Sequence, residues 1–309
     1  MQTVLITGGT GLIGNRLTEQ LIKKGYKVII LTRSVKGKTN TESLQYAAWD
    51  IYKQTIDVVA VQTADMIIHL AGAGVVDKRW TPAYKKEILE SRVLGSKLII
   101  DTLKQHSNQV KAIIGSSAIG WYGADKEQGR PFVETDPNAT DFLGETCFAW
   151  EHSISIAASM NIRVCKLRTG IVLSNEGGAL VEFKNPIRFG IAAILSNGKQ
   201  MISWIHIDDL CRMFIYAMEN DRLNGSYNAV APGPVSNKLL TLTLAKAMRG
   251  KFFIPVHVPA FVLKLVMGGS SIEVLKSTTV SNEKIKAAGF TFLYPSVESA
   301  IGELTGKKL

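Results

Sequence analysis

Hydrophobic and polar positions alternate along the first half of the chain with two different periods. Short apolar runs rich in β-branched side chains, at 3–7, 27–31, 44–49, 65–70, 111–115 and 162–167, predict strands. Between them, apolar residues spaced three and four apart predict helices over 13–24, 53–61, 82–105 and 142–159. Strand and helix in alternation predict an α/β fold, a Rossmann-type doubly wound parallel sheet with helices on both faces. Its crossovers should be right-handed, and its ligand should lie at the carboxyl ends of the strands. Beyond 170 the alternation breaks down, and Gly177-Gly178, Asn197-Gly198, Asn224-Gly225 and Pro232-Gly233-Pro234 mark loops between short elements. The chain therefore divides into a nucleotide-binding domain over 1–240 and a small C-terminal domain over 250–300. Some segments after 170 contribute to the smaller, interleaved C-terminal lobe, and the cleft between the two parts is the default substrate site.

The first strand carries the most specific chemistry. It runs to Thr7, and Gly8, Gly11 and Gly14 follow at the spacing G-x-x-G-x-x-G, with Thr10, Leu12 and Ile13 between them. A strand that turns sharply into a helix exposes the helix's first N–H groups to a pyrophosphate. Gly8 permits the turn, Gly11 lets backbone approach the phosphates, and Gly14 lets helix and strand pack closely. The second strand ends Thr32-Arg33-Ser34, with no Asp or Glu before Glu42. An acid there would select NAD through the ribose 2′-hydroxyl, whereas Arg33, with hydroxyls from Thr32 and Ser34, suits the 2′-phosphate of NADP. Leu70-Ala71-Gly72 closes the strand at 65–70, where small residues let backbone lie along the cofactor. On the next helix Glu87, Ser91 and Arg92 sit close together. They either hold the ribose or second phosphate, or form a solvated face.

Composition narrows the class. The 309 residues are 46% hydrophobic, as in ordinary globular proteins. No apolar run reaches the roughly 18 residues of a membrane span. The best candidate, Phe261 to Met267, is short and contains Lys264. The N-terminus enters a strand directly, without a signal-peptide pattern. Cys147, Cys165 and Cys211 are scattered, which predicts no disulfide framework, no metal site and a reducing, cytoplasmic setting. The net charge of +10 is uneven: +3 over 1–150 and +7 over 151–309. No block of five basic residues occurs, so nucleic acid is a minor expectation and no membrane partner is expected. A small substrate, anionic or carbonyl-bearing, fits the charge better.

These residues resemble an extended short-chain dehydrogenase/reductase. More narrowly, they are similar to the atypical epimerase family proteins, homologues of nucleotide-sugar epimerases with a small C-terminal domain. The resemblance rests on Thr7–Gly14, His69-Leu-Ala-Gly-Ala73, Arg79-Trp80-Thr81 with Ser91-Arg92, Arg168–Ser174 with Gly177–Leu180, and Ser203-Trp-Ile-His-Ile-Asp-Asp-Leu210. It implies NADP binding and an oxidoreductase or epimerase-like activity. It also implies a catalytic Tyr four residues before a Lys on a helix, with a Ser on the preceding strand. The corresponding helix reads Asp141-Phe-Leu-Gly-Glu-Thr-Cys-Phe-Ala-Trp-Glu151. One register puts Leu143 and Cys147 in the Tyr and Lys places, and the other puts Cys147 and Glu151 there. The Ser place falls on Ala118, next to Ser116 and Ser117. Tyr122, Ser116 and Ser117 are thus the catalytic candidates that remain. The literal Tyr122-x-x-x-Lys126 reads as loop, because Gly123 and the following polar run break helical spacing. His206 reads as a packing residue, with Asp208 or Asp209 as the N-cap of the helix behind it. With the Tyr–Lys pair missing, a non-catalytic NADP(H) sensor is the rival to an enzyme.

Overall fold

In the computed structural model, which describes residues 1–126 and 129–307, the first half follows the two periods closely. Its elements run β1 (Thr3–Thr7), α1 (Leu12–Lys23), β2 (Lys27–Thr32), β3 (Leu44–Asp50), β4 (Thr55–Ile56) and α2 (Val58–Thr63). There follow β5 (Met66–His69), α3 (Pro82–Gln105), β6 (Ala112–Ala118), α4 (Phe142–Ser155) and β7 (Arg163–Thr169). Helix 53–61 is the element placed wrongly. Asp50 turns the chain by accepting from the N–H groups of Tyr52 and Lys53, Thr55–Ile56 pairs back on β3, and the helix starts only after its cap Asp57.

The second half contributes β8 (Ile171–Leu173), α5 (Ala179–Arg188), β9 (Ile191–Leu195), β10 (Met201–Ile202), β11 (Trp204–His206) and α6 (Ile207–Glu219). Then come β12 (Gly225–Ala229), β13 (Val235–Ser236), α7 (Asn237–Arg249), β14 (Ile254–Val258) and α8 (Ala260–Met267). Three short helices, α9 (Ser271–Leu275), α10 (Glu283–Ala287) and α11 (Val297–Thr305), finish the chain.

The main sheet has eight strands in the order β12-β7-β6-β5-β1-β2-β3-β4, all parallel except β4. Successive strands step from β1 outward to β3, and the chain then returns to β5 on the other side of β1. The reversal beside β1 is the crevice where ligands of doubly wound sheets bind. Both faces of the sheet are covered, so the middles of its central strands are apolar, as in Val4–Ile6, Val28–Leu31 and Met66–Ile68, and polar residues gather towards the strand ends. Val4 and Ile6 face Leu17 of α1 and Leu210 and Phe214 of α6, while Leu5 faces Ile99 of α3 and Ile154 of α4.

The lobe is more deeply interleaved than a 250–300 appendage. Its core joins Leu180, Leu240 and Leu244 to Ile301 and Leu304, so it draws on residues from 173 to 304. Conversely, Ile285 and Phe290 pack into the core under the main sheet. The segment after α9 also crosses back, pairing Thr278 with Ile202 and Val280 with Phe132.

Candidate functional site

The turn after β1 is built from backbone. Gly8 takes φ +69°, a left-handed conformation that favours glycine, and its carbonyl accepts from the Gly11 N–H at 3.0 Å. Gly11 is the N-cap of α1 and offers no side-chain cap, so the first N–H groups of the helix remain available. Only hydrogen fits at Gly14, where a Cβ would lie 2.3 Å from the Gly8 oxygen. A Cβ on Gly8 would come within 3.0 Å of the Leu70–Ala71 peptide. Thr10 and Gly11 are exposed, while Leu12 and Ile13 pack on the core. This is a cradle shaped for a pyrophosphate, and a side chain would fill it.

Beneath the cradle lies a buried relay that the sequence did not announce. The Thr7 hydroxyl meets His69 Nδ1 at 2.7 Å and accepts from the Ala71 N–H at 3.1 Å, and His69 Nε2 meets Ser96 Oγ at 3.1 Å. Ser96 gives its own proton to the Arg92 carbonyl. His69 Nε2 must therefore donate and Nδ1 accept from Thr7, which fixes one tautomer. Burial lowers the pKa of His69 to about 4, so the ring is neutral. The relay ties the ends of β1 and β5 together and sets the position of Leu70, Ala71 and Gly72.

Arg92 turns out to be a buried brace beneath the loop after β5. Its Nη1 donates to Ala73 O at 3.0 Å and Ile88 O at 2.8 Å, and its guanidinium lies over the Trp150 ring at 4.9 Å. A Cβ on Gly72 would come within 2.9 Å of that guanidinium. Ser91 accepts from the Ala73 N–H. Glu87, half-buried, faces Lys78 at 3.5 Å. Of this trio, Arg92 and Ser91 shape the loop, and neither forms a solvated face.

At the end of β2, Thr32 Oγ1 bonds the backbone of Ser34, closing a tight turn. Arg33 and Ser34 are exposed, and no hydrogen bond or ion pair engages the Arg33 side chain among the described residues. The guanidinium is free to meet an anion, with no carboxylate beside it.

The catalytic candidates have a different environment. Ser117, on the α4 side of β6, donates to Glu151 Oε1 at 2.8 Å. Glu151 also accepts from Arg168 through Nε at 2.7 Å and Nη2 at 3.1 Å, and from Ser226 Oγ at 2.8 Å. Arg168 Nη1 reaches the Tyr122 oxygen at 3.0 Å, and Tyr122 donates to Asn228 Oδ1 at 2.6 Å. Glu134 closes the ring by accepting from the Asn228 N–H. Burial would lower the pKa of Arg168, but the hydrogen bonds and charge of Glu151 outweigh it and the net shift is upward. Burial pushes Tyr122 up to about 12. Tyr122 is 4% exposed and stacked on Phe132, so it offers neither a free proton nor an open wall to a cofactor. Ser117 is likewise committed, and Cys147 in α4 is a buried thiol held at about 12. Of the three candidates Ser116 alone keeps an uncommitted hydroxyl, whose one partner among the described residues is the Ser117 carbonyl at 3.5 Å.

Where β6 and β7 end, a cavity of about 120 Å³ opens between Ile119–Gly120, Phe183 of α5, Ile202–Ser203 and the α9 segment. Its lining is mostly apolar. The two charged residues on it, Glu273 and Lys276, pair with each other at 2.7 Å.

The helix after β11 corrects one expectation. His206, not Asp208 or Asp209, is the N-cap: its Nδ1 accepts from the Asp208 N–H, and its Nε2 bonds Glu303. Both acids are held by contacts from other elements. Asp208 takes Arg16 of α1 at 2.6 Å, and Asp209 takes Arg212 and the N–H groups of Leu293 and Tyr294. Long-range pairing overrides the local capping preference.

Known proteins share this arrangement. The model of the NAD dependent epimerase/dehydratase family matches residues 4–230, and that of a domain of unknown function, DUF1731, matches 258–304. An epimerase family protein of Staphylococcus aureus (strain MRSA252) is 34% identical over 308 residues, covering 99% of this chain and 100% of the relative. One from Staphylococcus haemolyticus is 33% identical, covering 98% and 99%. The crystal structure of human epimerase family protein SDR39U1 with NADPH superposes with a TM-score of 0.86 at 25% identity, covering 99% of each chain. With its glycine cradle and a match that spans nearly its whole length, the chain belongs to the NAD dependent epimerase/dehydratase family.

Proposed function

We propose that this protein binds NADP(H) and works as an oxidoreductase or epimerase-like enzyme on a small, largely apolar substrate. The observation that carries the reading is Arg33, exposed and unpartnered among the described residues, at the end of β2 where no carboxylate stands. Gly8, Gly11 and Gly14 would hold the pyrophosphate, and Arg33 with the Ser34 hydroxyl would hold the 2′-phosphate. The SDR39U1 structure with NADPH, similar along the whole chain, supports the same choice. Bound there, the nicotinamide supplies hydride chemistry.

The chain's own residues supply position and exclusion. The Thr7–His69 relay fixes the loop along which the cofactor lies, and the cavity beside Ile119–Gly120 excludes water from an apolar substrate. The cavity carries no net charge, so an anionic substrate finds no support there. Ser116, whose hydroxyl meets only the Ser117 carbonyl among the described residues, would be the residue to polarise a carbonyl, although it does not line the cavity. A second reading, an NADP(H)-binding protein without turnover, is favoured by one observation: Tyr122, Ser117 and Glu151 are all saturated by neighbours.

Titration with NADPH and NADH tests the first reading. NADPH should bind roughly tenfold or more tightly, and Arg33→Ala should close that gap, since charge-assisted bonds to phosphate contribute about 1.5–3 kcal/mol. Equal affinities in the wild type would overturn it. Oxidation of NADPH in a screen of small carbonyl compounds separates enzyme from sensor.

A further inference from the structure

We propose that the β9–β14 face and helix α8 dock this protein on an anionic lipid surface, as a peripheral rather than a spanning contact. β14 pairs in parallel with β9, and residues in register point to the same side. On one side Ala192 and Ile194 of β9 are buried on the lobe, while Pro255 and His257, their partners on β14, are exposed. The other side carries Ile191, Ile254 and Val256, all exposed, with Ile254 at 69%, and the half-buried Ala193 and Val258 beside them. Phe189 and Phe252 flank the strands at 84% and 83% exposure. α8 begins two residues after β14, reads Ala-Phe-Val-Leu-Lys-Leu-Val-Met, and has no buried residue. Phe261 and Leu265 project from it at 71% and 74% exposure. Arg79 donates to the Leu265 and Val266 carbonyls, so the helix is fixed to the body of the protein. Monomeric soluble proteins rarely expose so many large apolar side chains together.

Charge identifies the occupant. Residues 183–207 and 222–272, which supply the whole of this face, contain no Asp or Glu but nine Lys or Arg. Arg188, Lys199, Lys246, Arg249, Lys251 and Lys264 are among them, all exposed. This is where the +7 of the second half collects. A second copy of the chain would bring like charges together, which disfavours self-association. Strand addition is also obstructed. Ile254 N–H donates inward to Gly190 O, so the outer edge of β14 falls to Pro255, which has no N–H, and His257, which leaves that edge a single strand donor. An apolar face on segments that carry cations and no carboxylate matches the chemistry of an interface of anionic headgroups over acyl chains. No helix among the described residues is long and apolar enough to cross a membrane, so the contact would lie in the surface plane.

Vesicle flotation of the full chain tests this, with neutral phosphatidylcholine vesicles compared to vesicles containing anionic phosphatidylglycerol. Binding is expected to the anionic vesicles only, and raised salt should weaken it. Lys251→Gln with Lys264→Gln should reduce affinity about fivefold per charge. Phe252→Ser, Phe261→Ser and Leu265→Ser together should abolish it, with NADPH affinity unchanged in both variants. Three outcomes would overturn the proposal: no binding to anionic vesicles, equal binding to both kinds, or binding that neither variant affects. A vesicle-free dimer that the triple serine variant converts to monomer would do so too, by assigning the face to a second copy.

Discussion

The glycine turn after β1 and the Glu151–Arg168 cluster beside β6 and β7 belong to one sheet, separated by β5, yet they are built on opposite plans. The turn is open, made of backbone, and leaves N–H groups and Arg33 without protein partners. The cluster is closed, made of side chains, and gives Glu151 four donors and Tyr122 two partners. Open polar groups are arranged for a ligand, whereas saturated buried ones specify structure. The difference teaches that the turn leaves polar groups open to a ligand, whereas the Glu151–Arg168 cluster is built as a structural joint.

The largest test of this contrast is Arg168→Met. It leaves Glu151 as a buried carboxylate without its ion-pair partner, which should cost about 3–5 kcal/mol of stability in urea unfolding. A loss under about 1 kcal/mol would mean that the cluster is not a joint.

His69 comes next. An unfolded histidine titrates near 6.5 and the folded one near 4. As pH falls from 6.5 to 4, the unfolded chain gains a proton that the folded chain refuses. The stability present above pH 6.5 is therefore lost across that window, by on the order of 3 kcal/mol. Unfolding of His69→Asn over the same range should show a flatter slope, and an unchanged slope would assign the effect to other groups.

Gly14→Ala probes the open half. Its Cβ would sit 2.3 Å from the Gly8 oxygen, so the turn must shift, and NADPH affinity should fall at least about tenfold. Calorimetric titration that finds wild-type affinity would contradict the assignment of the cradle.

Tyr122→Phe is the mildest. It leaves Asn228 Oδ1 and Arg168 Nη1 each short of a partner, a loss of about 1–2 kcal/mol. NADPH binding should not change. Once a substrate is found, a hundredfold fall in turnover in this variant would return Tyr122 to the catalytic role.

The sequence made the open half legible because its chemistry is local. Strand, glycine spacing and Arg33 lie within one βαβ unit, where period and turn chemistry decide the structure. The closed half depends on residues 17 to 106 positions apart, such as Glu151 with Arg168 and Tyr122 with Asn228, and no spacing rule reports such pairs. The cap of α6 escapes the sequence for the same reason: His206 is the buried packing residue expected, but it also caps the helix, because Arg16 of α1 claims Asp208. The outward apolar face of β14 was also hidden. Phe-Phe-Ile-Pro-Val-His-Val has the same apolar pattern in either case, and only tertiary packing tells a covered face from a bare one.

A structure of the protein with NADPH bound tests the central claim most directly. The account predicts the 2′-phosphate on Arg33, the pyrophosphate at Gly8–Gly14, and the Tyr122 hydroxyl still bonded to Asn228 and Arg168. A Tyr122 hydroxyl turned to within about 3 Å of the nicotinamide ribose or C4 would contradict it.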